Sequence, residues 1–339
     1  MSTTDPRISI QAAMRAAFPE AEARVARFYQ MQEYQLGWRD QALGVTNYDP
    51  GKLLRPQLAL IACRVAGGDP ATALPLAAGI QLIHDFSLIH DDIEDNSDTR
   101  RGRLTVWKVW GLAQGINTGD GMFVVAHLAL HRLASVGVQA EVVLEVLRRF
   151  DQTILTICEG QFLDLDFEGN LAISEDDYLA MIGRKTAALV AAAAGLGAIV
   201  GGADAQTATA LFDFGLHLGL AFQVQDDVLG IWGEPGQTGK PRAADLFRRK
   251  LSLPVIHALA TADNRAELVR LYERPELSED DVQRALSILD AAGSRGYTEG
   301  IAAHHHGRAM AALQSIEGGN AQALAELHAI AEGLVGRER

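Results

Sequence analysis

The sequence predicts an all-α protein folded as a single domain, and three observations carry that expectation. Hydrophobic residues make up 48% of the 339 positions and charged residues 22%, enough apolar material for a substantial core. Aromatic residues are only 6% while Ala and Leu abound, which favours helix over strand. Apolar residues recur at helical spacing along nearly the whole chain. No alternating strand pattern with hairpin turns, fixed-period repeat or Pro/Ser-rich linker interrupts them.

Helix boundaries follow from the same chemistry. Ser174 before Glu175, Asp176 and Asp177 reads as a capped helix start, and so does Ser278 before Glu279, Asp280 and Asp281. Gly67-Gly68, Gly201-Gly202 and Gly318-Gly319 read as helix stops or turns. The densest turn signals run from Gly233 to Ala244. The apolar stretch Ala187 to Val200 is shorter than the roughly 20 residues of a bilayer span. Its Ala and Gly content suits a buried helix that neighbours approach closely. No transmembrane segment is expected, and polar Met1 to Arg7 lacks the apolar core of a signal peptide. His304-His305-His306 lies in Ala-rich helical sequence without further ligands nearby and reads as a surface feature.

A net charge of −13 argues against nucleic acid as a partner, since phosphate-backbone contacts need a basic surface. It leaves small anionic ligands open, because local cationic clusters govern those. Cys63 and Cys158 form no metal or redox spacing, and a reducing cytoplasmic setting is the simplest reading.

Two acidic segments carry the chemistry. In Ser87-Leu-Ile-His-Asp-Asp-Ile-Glu-Asp95, Asp91 and Asp95 stand one helical turn apart after an apolar stretch. Like charges at that spacing repel, and desolvation raises the cost. A hard divalent cation such as Mg²⁺ reverses that sign, and carboxylates without Cys or His partners suit it. A solvated acidic helix end would read the same way. A second pair, Asp226-Asp227, again sits in apolar helical sequence, with Gln223 on the Asp226 stripe. Two such clusters can face each other across a helical bundle. Cations cluster nearby in sequence: Lys52 and Arg55, then Arg100 and Arg101, then Lys240 and Lys250. Gly239-Lys240 lacks the Gly-rich run and following Ser/Thr of a nucleotide-binding loop.

Taken in order, these segments resemble the trans-isoprenyl diphosphate synthases from about Gly51 to Pro254. The motifs are Gly51-Lys-Leu-Leu-Arg-Pro56, Asp91-Asp-Ile-Glu-Asp95 with Arg100-Arg-Gly102, Gly119-Asp120, Glu159-Gly-Gln161, Lys185-Thr186, Phe222-Gln-Val-Gln-Asp-Asp227 and Gly239-Lys240. The resemblance implies an isoprenoid synthase helical bundle with a central cavity, usually a homodimer, binding three Mg²⁺ ions around an allylic diphosphate. It implies Asp91, Asp95 and Asp226 as metal ligands. It implies Arg100, Lys185, Lys240 and Lys250 as contacts of the allylic diphosphate, and Lys52, Arg55, His84 and Arg101 as contacts of isopentenyl diphosphate. Thr186 and Gln223 match polar groups beside the reacting carbons. Three positions depart from the family pattern: Leu53 for a frequent arginine, Leu104 for a usual proline, and Gly230 for a frequent last aspartate of the second motif.

The implied reaction is ionisation of the allylic diphosphate, alkylation of isopentenyl diphosphate and proton loss. The growing tail points toward the N-terminus of the helix bearing the first motif. Phe86 with small Ser87 and an uninterrupted Asp-Asp-x-x-Asp motif is similar to the pattern of geranylgeranyl (C20) synthases, with farnesyl (C15) next. A class I terpene cyclase would leave Lys52, Arg55, His84 and Arg101 unexplained. A non-catalytic regulatory subunit would not be expected to keep both acidic motifs.

Overall fold

The computed structural model describes residues 5–49, 51–234 and 243–335. Helix accounts for 74% of the chain, and the fold is all-α as expected. Lys240 and most of the expected turn segment lie outside the described residues.

By backbone proximity the chain divides into two compact units. The first comprises Met1–Asp151, Ala192–Ala208 and Gly318–Leu324, and the second Gln152–Ala191, Thr209–Glu317 and Ala325–Arg339. In chain order the helices are α1 (Pro6–Ala17), α2 (Ala26–Gln35), α3 (Leu54–Val65), α4 (Leu74–Glu94), α5 (Val106–Trp110), α6 (Leu112–His131), α7 (Ala140–Asp166) and α8 (Glu175–Ile182). They continue with α9 (Ala188–Val200), α10 (Ala205–Trp232), α11 (Ala244–Phe247), α12 (Leu253–Thr261), α13 (Arg265–Tyr272), α14 (Glu279–Ala291), α15 (Ser294–Gln314) and α16 (Ala321–Val335).

The first unit is organised around α4, which packs on α1, α3 and α6. Its Leu76, Ile80, Leu82, Ile83 and Ile89 are all essentially inaccessible, each such burial contributing roughly 1.5–3 kcal/mol. Gly79 permits the close approach to α6, because a Cβ there would lie 2.0 Å from Leu130 Cδ1. Gly197 of α9 likewise lies against the Ala59 backbone of α3, where a Cβ would meet the carbonyl oxygen at 2.2 Å. The Ala- and Gly-rich stretch is therefore a tightly packed core helix.

In the second unit, Leu268, Val282, Ala285 and Leu289 close one core cluster with Ile231 and Leu246. Tyr178, Met181, Val224 and Leu253 close another. Both expected capping boxes form: Ser174 with Asp177 at α8, and Ser278 with Asp281 at α14. Gly67 and Gly202 take left-handed conformations where α3 and α9 end.

Two features differ from the sequence reading. A two-stranded hairpin pairs β1 (Thr99–Arg100) with β2 (Arg103–Leu104), too short to show any alternation. Its loop, Arg101-Gly102, has positive φ at both residues, the backbone a two-residue hairpin turn demands. The histidine run is also more than a surface feature. His304 is exposed, but His305 is half-buried with its Nδ1 3.0 Å from His217 Nδ1 on α10. Burial drives the His305 pKa down to about 4.

The stretches Pro70–Glu94 and Glu175–Val200 are long and apolar enough to cross a bilayer by length and composition alone. Their most apolar windows are 67% and 56% buried inside the structure, as core helices are.

Candidate active site

In the first unit, α4 ends on the first acidic motif. Asp91 lies in its last turn and Asp95 is the C-cap, whose amide donates to the Asp91 carbonyl. The Asp91-Asp95 spacing of one turn is thus preserved to the helix end. Asp92 points inward and is 1% exposed, with burial raising its pKa to about 6. The hairpin delivers Arg100 to this motif: its Nη2 donates to Asp91 Oδ2 at 3.0 Å and its Nε to Asp92 Oδ1 at 2.7 Å. Asp92 Oδ2 is buried without a hydrogen-bond partner.

Beside it, Arg55 Nη1 lies 3.5 Å from His84 Nε2. Burial lowers the Arg55 pKa to about 10, and burial plus Arg55, Arg101 and Arg100 push His84 well below its usual value. The buried carboxyl of Asp85 faces this group and raises the Arg55 pKa against the effect of burial. Arg55 Nε is buried and unpaired, which marks where an anionic oxygen would be accepted. Arg101 and Lys52 are exposed at the hairpin turn and before α3. A cavity of about 380 Å³ in this unit is lined by Leu53, Gln81, Asp85, Arg100 and Arg101 among others. Leu53, the departure from arginine, turns its side chain inward and is 6% exposed.

Further along α4, Phe86 packs edge-on against Phe123 of α6 at 5.4 Å between centroids. Phe123 lies 4.6 Å from His127, and His127 5.4 Å from Phe150. His127 is itself fixed by Asp151 at 2.8 Å. Ser87 turns its hydroxyl back to the His84 carbonyl at 2.8 Å. Gly119 of the Gly-Asp motif makes room for His90, whose Nε2 would lie 2.2 Å from a Cβ there.

The second unit carries the other half of the predicted set. Lys185 and Thr186 sit in a single π turn, Gly183–Ala187, between α8 and α9. Such one-turn bulges break the helical period and recur at functional sites. Lys185 pairs with Asp164 of α7. Gly160 of α7 lets the π turn approach, since a Cβ would meet the Lys185 amide nitrogen at 2.2 Å. Asp226 of α10 is exposed, whereas its neighbour Asp227 is fully buried with its pKa raised to about 6 by that burial. Thr186 Oγ1 donates to Gln223 Oε1 at 3.2 Å. Lys250 is exposed; protein crowding lowers its pKa, but Asp227, Asp245 and Asp164 outweigh that and raise it.

Two residues escaped the sequence reading. Asp164 had no motif to mark it. Asp245 of α11 lies where a Gly230 side chain would be, its Oδ2 only 2.1 Å from the Cβ position. Asp245 of another helix therefore fills the space that a side chain at position 230 would need. The pairing of a glycine in the motif with a later buried aspartate was the available signal.

Every candidate metal ligand is a carboxylate oxygen. Among the described residues no three His, Cys, Asp or Glu side chains converge as a cage.

Residues 38–289 match the family described as polyprenyl synthetase. The chain belongs to that family. As a polyprenyl synthetase it is a prenyltransferase of the trans-prenyl diphosphate synthase type. It is 41% identical over 285 residues to geranylgeranyl diphosphate synthase of Mycobacterium tuberculosis, covering 84% of this chain and 80% of the relative. It is 39% identical over 277 residues to (2E,6E)-farnesyl diphosphate synthase of Mycobacterium bovis, covering 80% and 76%. Among solved structures, polyprenyl synthetase from Streptomyces coelicolor aligns with a TM-score of 0.89 at 34% identity, over 97% of each chain. Geranylgeranyl pyrophosphate synthase from Corynebacterium glutamicum, complexed with isoprenyl diphosphate and magnesium, aligns at 0.82 and 26% identity over 98% of this synthetase and 97% of that one.

Proposed function

We propose that this synthetase joins isopentenyl diphosphate to allylic diphosphates of five, ten and fifteen carbons and releases chiefly geranylgeranyl diphosphate (C20). The aromatic series Phe86, Phe123, His127 and Phe150 carries the length assignment. Phe86 lies five residues before Asp91, off the Asp91 stripe of α4, and its role as a stop for the growing tail is taken from the family resemblance. Phe86 cannot swing aside cheaply, because Phe123 stands behind it and His127 behind that. The relatives include farnesyl (C15), geranylgeranyl (C20) and geranylfarnesyl (C25) diphosphate synthases and leave the length open.

Asp91, Asp95 and Asp226 are the proposed magnesium ligands, with three ions expected once substrate is bound. When bound, magnesium neutralises the diphosphate and stabilises the charge that accumulates as it departs. Arg100, Lys185, Lys240 and Lys250 hold the allylic diphosphate, so Arg100 must exchange a carboxylate for a phosphate oxygen on binding. Lys52, Arg55, His84 and Arg101 hold isopentenyl diphosphate, which supplies the anion that the unpaired Arg55 Nε lacks. Thr186 and Gln223 place oxygen dipoles beside the developing allylic cation. The chain acts as one polyprenyl synthetase domain, a cytoplasmic homodimer.

The test is chromatography of products from labelled isopentenyl diphosphate with C5, C10 and C15 primers and magnesium. C20 product from all three supports the assignment. Product stopping at C15 makes the protein a farnesyl diphosphate synthase, and no consumption of isopentenyl diphosphate overturns the whole reading. Phe86→Ala should lengthen the product, and an unchanged spectrum would remove Phe86 from the floor.

A further inference from the structure

Thr186 and Gln223 can stabilise a cation only with oxygen atoms toward it, yet a glutamine amide presents oxygen or NH₂ depending on how it is turned. Asp227 fixes how Gln223 is turned. Asp227, one helical turn along α10, is 0% exposed and accepts from Gln223 Nε2 through Oδ1 at 3.3 Å. Its other oxygen accepts from the Tyr178 hydroxyl at 2.5 Å and lies 3.4 Å from the Leu253 amide. Tyr178 is 1% exposed, so no water competes for that bond.

The Tyr178 hydroxyl and the Leu253 amide both donate to this carboxylate, which acts toward its neighbours as an acceptor. The amide edge facing Asp227 must therefore be NH₂, and the carbonyl Oε1 is left facing Thr186, whose hydroxyl donates to it at 3.2 Å. That bond also occupies the only proton on the Thr186 hydroxyl. The Thr186 hydroxyl and the Gln223 carbonyl then keep oxygen lone pairs available beside each other, while the amide NH₂ is turned toward Asp227. The opposite amide orientation would place a partly positive NH₂ where charge develops.

We propose that Tyr178 and Asp227 are positioning residues that lock the Gln223 amide with its oxygen toward Thr186, so that the developing allylic cation meets the carbonyl oxygen and not the NH₂ of that amide. The proposal rests on the reading above that Thr186 and Gln223 flank the reacting carbons. Tyr178 touches no substrate; it fixes Asp227, which fixes Gln223. Because the lock acts where charge develops, its loss falls on kcat and spares the binding of both diphosphates.

The experiment is a double-mutant cycle with Tyr178→Phe, Gln223→Leu and the pair, measuring kcat, both KM values and Tm. Tyr178→Phe keeps the buried ring and should lower kcat about 10-fold with both KM values within about two-fold. Gln223→Leu should lower it more, and the pair should match Gln223→Leu alone, because Tyr178 then has nothing to orient. Additive losses, a loss confined to KM, or a Gln223→Leu enzyme with full kcat would overturn the lock. If Tyr178→Phe does not fold, Asp227→Asn replaces it: an amide there can donate or accept and no longer dictates the orientation, so the same non-additivity with Gln223→Leu is expected. Wild-type protein that consumes no isopentenyl diphosphate would sink the proposed function with it. Wild-type turnover with additive losses sinks the lock alone.

Discussion

At Asp85 the balance between burial and partners can be read as a pH dependence. Its side chain is 4% exposed, accepts from Gln81 Nε2 at 2.8 Å, and has its pKa raised to about 6 by burial despite Arg101, Arg55 and Arg100. A carboxyl whose folded pKa exceeds its unfolded value gives stability that is full below the unfolded value, near 3.8, and lost as pH rises through 6. Asp85→Asn should therefore raise stability at pH 7 by on the order of 1–3 kcal/mol, with the gain fading toward pH 4. Thermal melts of both proteins at the two pH values check this, and a pH-independent difference would contradict it. Gly230 offers a steric counterpart. Gly230→Ala drives a methyl into Asp245 and should destabilise by about 1–3 kcal/mol, the usual cost of overpacking. Asp245→Ala in the same chain removes the clash, so the double variant should melt higher than the sum of the singles predicts. Additive melts would show that Asp245 simply moves aside. None of this was legible at position 230 by itself, because a missing carboxylate in a motif does not say which helix fills its space.

The elements divide by how much of their shape is written locally. Ser174, Ser278, Gly67 and Gly202 announced their boundaries because capping and left-handed turns need particular side chains next to the break. The π turn at Gly183–Ala187 left no such mark: one extra residue within a helix changes no residue type, and its partner Gly160 lies a helix away. Gly160→Ala would push a methyl onto backbone rather than onto a side chain that can yield. It should displace Lys185 and Thr186 and lower kcat at least 10-fold, an effect of about 1.4 kcal/mol or more on the barrier. The contrast lies in α15, where Gly296, Gly300 and Gly307 face open space. Alanine at each should add about 0.5–1 kcal/mol of helix stability and leave turnover unchanged. Steady-state rates and melts of the two sets separate a glycine kept for a close approach from one with no steric demand. Equal losses in both would refute the distinction.

For the molecule as a whole, the motifs were legible because each ties residue type to spacing on one segment. Which apolar stripe stays uncovered was not, since a stripe for a second copy and a stripe for the core have the same period. On α6, Leu112 (55% exposed), Ile116 (44%), Val124 (53%) and Leu128 (40%) run along one side, while Met122, Val125, Ala126 and Ala129 are buried. Four large apolar side chains in one exposed row suit a self-complementary contact between two copies, the commonest oligomer symmetry. Each copy carries a net charge of −13, so association works against a long-range repulsion that salt screens over about 10 Å at 0.1 M. Two consequences follow for light scattering coupled to size-exclusion chromatography. Val124→Glu with Leu128→Glu should yield monomers at concentrations where the wild type is dimeric, since a carboxylate buried without a partner costs several kcal/mol. The dimer proposed for the wild type should tighten as salt rises from 0.05 to about 0.5 M, because screening removes repulsion and leaves apolar contact intact. A dimer that loosens with salt would point to ion pairs across the interface, and a doubly substituted protein that remains dimeric would place the contact on another face.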